Sequence, residues 1–399
     1  MTSATPTTGA KRADDGRSRP VLAWWAALLA AAVGGWWLVG SPDTAAAGVR
    51  RTGEAWPYGA APVLITVVVL VATYRRVHER LAWPLLLTAG FVAAAGWTLA
   101  LAATDGALWA TVVAHSETAP PLSGRLVDAL AGSGVDGSLA ATLLCLVAAL
   151  ACPLVAITVR SLCDELSARR LLPVSVLASY ALVGVNVEAI AMALGAAALA
   201  VAALASEPGR PGPARLLLAL LSGLLLGTAA LFGYSAILLA AGAVCVFFVR
   251  RRPLLNIATA GGIFVPLLVA QSAGLDWTKD LADALQNDTG ERHYLGGIVA
   301  AIVVLLLLGG PALIASLRSM RATPAWPLLL AGGGAVVTSI VAGFVSERLA
   351  PGAWLPALPW LLVAVIAPGR PGGLSVPTPL PVVAVGAAAA HMVALLIAR

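Results

Sequence analysis

Eleven long apolar runs separated by short charged segments dominate this chain, and that alternation leaves the lipid bilayer as its solvent. They are Val21–Val39, Ala60–Tyr74, Leu81–Ala103, Leu139–Val159, Leu171–Ala205, Leu216–Val249, Leu254–Ser272, Tyr294–Leu317, Trp326–Val345, Trp354–Ala367 and Val376–Ala398. About 20 helical residues cross a ~30 Å hydrocarbon core. With 60% apolar residues, 11% charged residues and a mean hydropathy of +0.91, polar surface is too scarce to cover a soluble domain of 399 residues. The fold class expected is all-α: a polytopic integral membrane protein.

The charges orient it. Loops on one side of the spans hold 18 of the 25 Lys and Arg residues, and loops on the other hold 13 of the 19 acids. Basic residues near span ends stay cytoplasmic, so the acidic side faces out and the N-terminus lies inside. Residues 1–20, with Lys11, Arg12, Arg17 and Arg19, read as a cytoplasmic tail. Residues 21–399 read as one transmembrane domain with outer loops near 41–58, 104–137 and 274–293. Val21–Val39 is long enough to span and no small-residue cleavage site follows it, so a retained first helix is expected rather than a signal peptide. The localisation implied is a bacterial cell membrane.

Leu171–Ala205 and Leu216–Val249 are too long for one crossing. Hairpin turns are expected at Gly184, Asn186 and Glu188 in the first, and at Gly233, Tyr234 and Ser235 in the second. The count then becomes 13 helices instead of 11. At such a tip Glu188 would cost little; inside the membrane it would mark a functional, proton-coupled position.

Other classes of chemistry lack their signatures. There is no phosphate-binding loop, dinucleotide fingerprint, HExxH or GxSxG, and the histidines are scattered. The pI near 9.5 comes from short arginine clusters between apolar runs, not from a basic face, so no nucleic acid is expected as partner. Cys145, Cys152, Cys163 and Cys245 lie in spans or on the inner side, where they read as packing residues. Gly223 and Gly227 are spaced for a close helix contact, Gly332–Gly334 for another, and the tryptophans near span ends read as interfacial anchors.

Candidate chemistry sits at the outer membrane edge. Asp43 follows the first span, Asp105 ends the third, and Glu347 with Arg348 follows the run Trp326–Val345. A carboxylate there can act as general base on a hydroxyl or hold a divalent metal ion through hard oxygens, although no metal is specified. Arg50, Arg51 and Arg348 can meet a lipid phosphate bidentately. Each acid also reads, more plainly, as part of a solvated loop.

Several of these segments carry a resemblance. A first outer loop with Asp43, a long second loop opening Ala103-Thr104-Asp105-Gly106, and Ser346-Glu347-Arg348 followed by Trp354-Leu355-Pro356-Ala357-Leu358-Pro359-Trp360 resemble actinobacterial polytopic glycosyltransferases of the GT-C superfamily. The resemblance implies a GT-C-like fold and an inverting transferase. It would take a sugar from a polyprenyl-phosphate donor to an envelope glycan or lipid acceptor on the outer face. Asp43 stands where the base belongs, with Glu54 as runner-up, and Asp105 and Glu347 would support a metal or the acceptor. Glu291-Arg292-His293-Tyr294 is similar to the Arg-Pro-Tyr entering a late helix in the group, with His293 in place of proline. A His-Pro-Pro-Gly stretch of that group is here Ala119-Pro120-Pro121-Leu122, so a catalytically silent scaffold stays open as an alternative, with a secondary transporter behind it.

Overall fold

Proline, glycine and short polar residues divide the apolar runs into helices. The computed structural model describes residues 23–34, 81–103, 112–113, 120–178, 186–287, 294–319, 325–341 and 354–363. Among the described residues there are helices and turns only. In chain order the helices are α1 (Ala23–Gly34), α2 (Trp83–Ala103), α3 (Pro121–Gly132), α4 (Gly137–Ala149), α5 (Ala151–Leu162), α6 (Glu165–Val176), α7 (Glu188–Ala205) and α8 (Gly212–Phe232). A 3-10 segment, Tyr234–Leu239, precedes α9 (Ala240–Val249), α10 (Leu255–Ser272), α11 (Trp277–Asn287), α12 (Tyr294–Ser319), α13 (Trp326–Val341) and α14 (Leu358–Leu361). Among the described residues four stretches are long and apolar enough to cross a membrane: Gly137–Leu162, Glu188–Ala205, Gly212–Phe232 and Leu255–Ser272. They fit a multi-pass membrane protein.

Capping sets where these helices begin. Asp136 accepts the Ser138 N–H at 3.2 Å and opens α4, and Asp164 accepts the Ser167 N–H at 2.6 Å and opens α6. Both long apolar runs are interrupted; of the expected turn residues, Gly184 lies outside the described residues and Glu188 is already the first residue of α7, while Gly233 does end α8. The first is helical to Val176 and again from Glu188; the second stops at Phe232, with Gly233 extended.

One end of the bundle is rich in arginine, and several of these arginines make distinct contacts. Arg250 donates to the carbonyls of Ser161 (2.7 Å) and Leu162 (3.3 Å), satisfying the C-terminus of α5. Arg160 lies 4.5 Å from the centre of the Trp83 ring and 2.8 Å from Glu165. Arg210 pairs with Glu207, which also accepts from Ser161 at 3.0 Å. Together these contacts bring the ends of α5, α7 and α9 and the starts of α2, α6 and α8 to one level, so the spans alternate in direction as the charge pattern requires.

Glu165 accepts from Arg169 at 3.0 and 2.7 Å, and that hydrogen bond, reinforced by the charges of Arg160 and Arg169, holds its carboxyl below the ordinary glutamate value. A lowered folded-state value means stabilisation that is present at neutral pH and lost as pH falls through it. Thermal stability in detergent is therefore expected to drop as pH falls below the ordinary glutamate range, and Glu165→Gln to flatten that drop. An unchanged slope in the variant would show that other carboxylates carry the acid response.

Close packing depends on missing side chains. A Cβ on Gly223 would lie 2.0 Å from the Thr259 carbonyl oxygen, one on Gly227 2.3 Å from that of Ile263, and one on Gly262 2.3 Å from that of Leu220. The pairs advance together, Ala219 with Thr259, Gly223 with Gly262 and Gly227 with Pro266, so α8 and α10 run parallel in backbone contact. At the second expected contact, Gly332 meets Ala357 and Trp360, while Gly334 faces open space. Cys145 and Cys152 are buried packing residues, each in a different apolar cluster.

Three expectations are corrected. Trp354–Ala367 is not a continuous span over its described part: after Trp354 come a turn and only the four-residue α14, because Pro356 and Pro359 withhold backbone donors. This segment is a buried wedge against α13. Trp25, Trp354 and Trp360 are not interfacial anchors, being 4%, 0% and 0% exposed, although Trp24 (55%) and Trp326 (40%) do face outward. Glu188 is not an exposed hairpin tip; it is 6% exposed. The loops near 104–137 and 274–293 contain α3 and α11, which lie against the bundle's end.

Candidate functional site

At the end opposite the arginines, three stretches of irregular backbone converge around Glu188. Asn186, 2% exposed, accepts the Glu188 N–H through Oδ1 at 3.1 Å and so starts α7. Glu188, Ala191 and Gly195 then share one face of α7, by the spacing of three and four residues. A Cβ on Gly233 would lie 2.9 Å from the Ala191 Cβ and 4.0 Å from the Pro356 Cγ, and one on Gly195 would lie 2.7 Å from the Leu239 Cδ1. The face that begins with Glu188 therefore looks onto the 3-10 segment and the Trp354–Val363 wedge.

Each of these segments carries a polar atom without a partner. Glu188 Oε2, Ser235 Oγ and Trp354 Nε1 are buried and unpaired, with Ser235 3% and Trp354 0% exposed. An orphaned buried polar group costs about 1–3 kcal/mol, so three on adjoining segments are unusual for plain packing. A carboxyl, a hydroxyl and an indole N–H offer acceptors and donors suited to a hydroxyl-bearing ligand.

The roof over this region is built from the two loop helices. Breaking α8 at Gly233 leaves its last carbonyls without helical partners. The Trp277 indole donates to the Ala230 carbonyl at 2.8 Å, and Ser123 Oγ donates to the Phe232 carbonyl at 3.2 Å. Tyr234 and Trp277 stack obliquely, 6.0 Å between ring centres. Thus α3 and α11 are held at the end of α8 by hydrogen bonds that the break itself creates. Asp276 caps α11 by accepting from Thr278 (2.7 Å) and the Lys279 N–H (3.1 Å), which lowers its carboxyl below the usual range.

The residues singled out by sequence are not among those that build this region as described. Asp43, Glu54, Arg50, Arg51, Asp105, Arg292, His293, Glu347 and Arg348 lie outside the described residues, and Tyr294 is placed only as the first residue of α12. No group of three or more His, Cys, Asp or Glu side chains that could hold a metal ion occurs among the described residues. Reasoning from sequence marked Glu188 as an acid inside an apolar run and Ser235 as a turn residue, but nothing in the sequence joined them to Trp354. Comparison with protein-family models, curated proteins and solved structures found no match to this chain.

Proposed function

We propose that this chain is a bacterial cell-membrane glycosyltransferase with a GT-C-like fold, its arginine-rich end cytoplasmic and its site on the extracytoplasmic face. Its donor would be a polyprenyl-phosphate sugar and its acceptor an envelope glycan or lipid. The observation that carries the reading is the wedge Trp354–Val363. This stretch, whose Trp-Leu-Pro and Pro-Trp resemble those glycosyltransferases, opens with a non-helical turn, Leu355–Ala357, buried beside Gly233 and the face of α7 that begins with Glu188. Non-helical backbone persists at membrane depth only where protein covers it or it lines a cavity. Such backbone is the usual cost of a site.

In this reading an acceptor hydroxyl attacks the anomeric carbon as the bond to the carrier phosphate breaks. Asp43 takes the hydroxyl proton, and polyprenyl phosphate leaves with its negative charge near Arg348, Arg50 and Arg51. The Glu188, Ser235 and Trp354 groups hold sugar hydroxyls. The test offers labelled polyprenyl-phosphate sugars and an envelope extract to the purified protein in lipid. Wild type is expected to transfer label, and Asp43→Ala to lose about 10²–10⁴-fold in rate. No transfer from any donor, beside a working control enzyme, would replace this reading with a non-catalytic scaffold of envelope-glycan assembly.

The buried carboxyl of Glu188 favours one second reading, proton-coupled transport. Proton uptake into liposomes that vanishes in Glu188→Gln but survives Asp43→Ala would select it.

A further inference from the structure

Most inner-end arginines described above have a carboxylate or carbonyl partner; Arg215 and Arg252 do not. The parallel register of α8 and α10 sets them side by side: one turn before the Ala219–Thr259 contact stand Arg215 on α8 and Leu255–Asn256 on α10, with Arg252 immediately before α10. The Arg252 charge acts on Arg215, and among the described residues neither has an acidic partner. Arg215 Nε is buried and undonated, and on α10, one turn before the Ala219–Thr259 contact, the buried Asn256 Oδ1 is also unpaired.

The turn between α9 and α10 holds this arrangement in place. The Arg251 N–H bonds the Phe248 carbonyl at 3.0 Å and the Arg252 N–H bonds that of Phe247 at 2.8 Å, closing the end of α9 with Arg251 left-handed at φ 56°. Glycine would adopt that conformation at lower cost. Arg250 is committed to the α5 carbonyls and Arg251 points to solvent, so Arg252 alone of the three turns toward α8.

Immediately toward the membrane from the pair, the surface is apolar and open. Leu216, Leu217, Leu254 and Ile257 are 54%, 66%, 76% and 71% exposed. Two unneutralised guanidinium groups below an aliphatic surface match an anionic head joined to acyl chains. We propose that Arg215 and Arg252 hold the phosphodiester headgroup of an anionic phospholipid whose chains lie along Leu216, Leu217, Leu254 and Ile257. The aliphatic flank selects a lipid over free phosphate, and two guanidinium groups suit the phosphodiester anion that phospholipid headgroups carry. This inference is independent of the proposed transferase activity.

The test uses the delipidated full-length protein in detergent, incubated with phosphatidylglycerol, with phosphatidylcholine of the same acyl chains, or with inorganic phosphate. Retained lipid is counted by native mass spectrometry, and melting is followed in parallel. Phosphatidylglycerol is expected to be retained and to raise the melting temperature, and the other two to do neither. Arg215→Gln and Arg252→Gln should each weaken retention about fivefold, the effect of one basic residue at an anionic lipid surface. Lys279→Gln, at the far end, should leave it unchanged. Equal retention of phosphatidylcholine, equal stabilisation by inorganic phosphate, or full retention in the folded double variant would each overturn the proposal. A double variant that does not fold leaves the wild-type lipid comparison to decide.

Discussion

Gly223→Leu is expected to prevent α8 and α10 from meeting. A side chain at that position would begin 2.0 Å from the Thr259 carbonyl oxygen, and the obstacle is backbone, which cannot rotate aside. Overfilling an ordinary core costs about 1–3 kcal/mol; forcing two helices apart along a glycine seam should exceed that. Thermal melting and size-exclusion profiles in detergent measure the loss, with Gly261→Leu as comparison. Gly261 lies on α10 next to Gly262 but faces open space. If both variants melt alike, helix propensity rather than the seam governs stability. If Gly223→Leu alone fails, the parallel register is established.

Glu188→Leu is expected to have the opposite sign on stability and a large effect on function. Leucine removes the unpartnered Oε2 and its desolvation, which should stabilise the fold by about 1–3 kcal/mol. Under the transferase reading the same change removes a hydrogen-bonding group for the sugar, so transfer should fall even though the protein melts higher. That combination is the signature of a strained site. A variant that is both less stable and unfolded would show that the carboxyl serves the packing of α7, and would take Glu188 out of the site.

Part of this architecture was legible from sequence because it rests on local rules. Gly233-Tyr234-Ser235 and Asn186 fall within apolar runs too long to cross once; α8 stops at the first and α7 begins just after the second. Gly223 and Gly227, four residues apart, announced a contact. The rest depends on partners that hydropathy does not see. Trp354–Val363 reads as a span because an apolar stretch buried in protein and one buried in lipid have the same composition; only Pro356 and Pro359 hinted otherwise. The pairing of α8 with α10 skips the helix between them, so no local pattern encodes it. Nor could spacing reveal that Gly233 meets both Ala191 and Pro356, since chain separations of that size carry no periodic signal. The outer acids chosen as catalytic candidates remain in segments outside the described residues, so the geometry neither joins nor separates them.

The Trp25 indole donates to the Leu306 carbonyl at 2.9 Å, across 281 residues, just before α12 departs from helical geometry at Gly310 and Pro311. Pro311 supplies no backbone donor to the preceding turn, and the indole arrives one residue from the carbonyl left over. In the order of synthesis, then, one of the first helices to enter the bilayer is among the last to be secured. Until α12 has been made, the Trp25 indole lacks the carbonyl it binds in the folded chain. Assembly of this protein therefore closes like a ring, and a chain truncated before α12 would lack its fastening as well as its final helices.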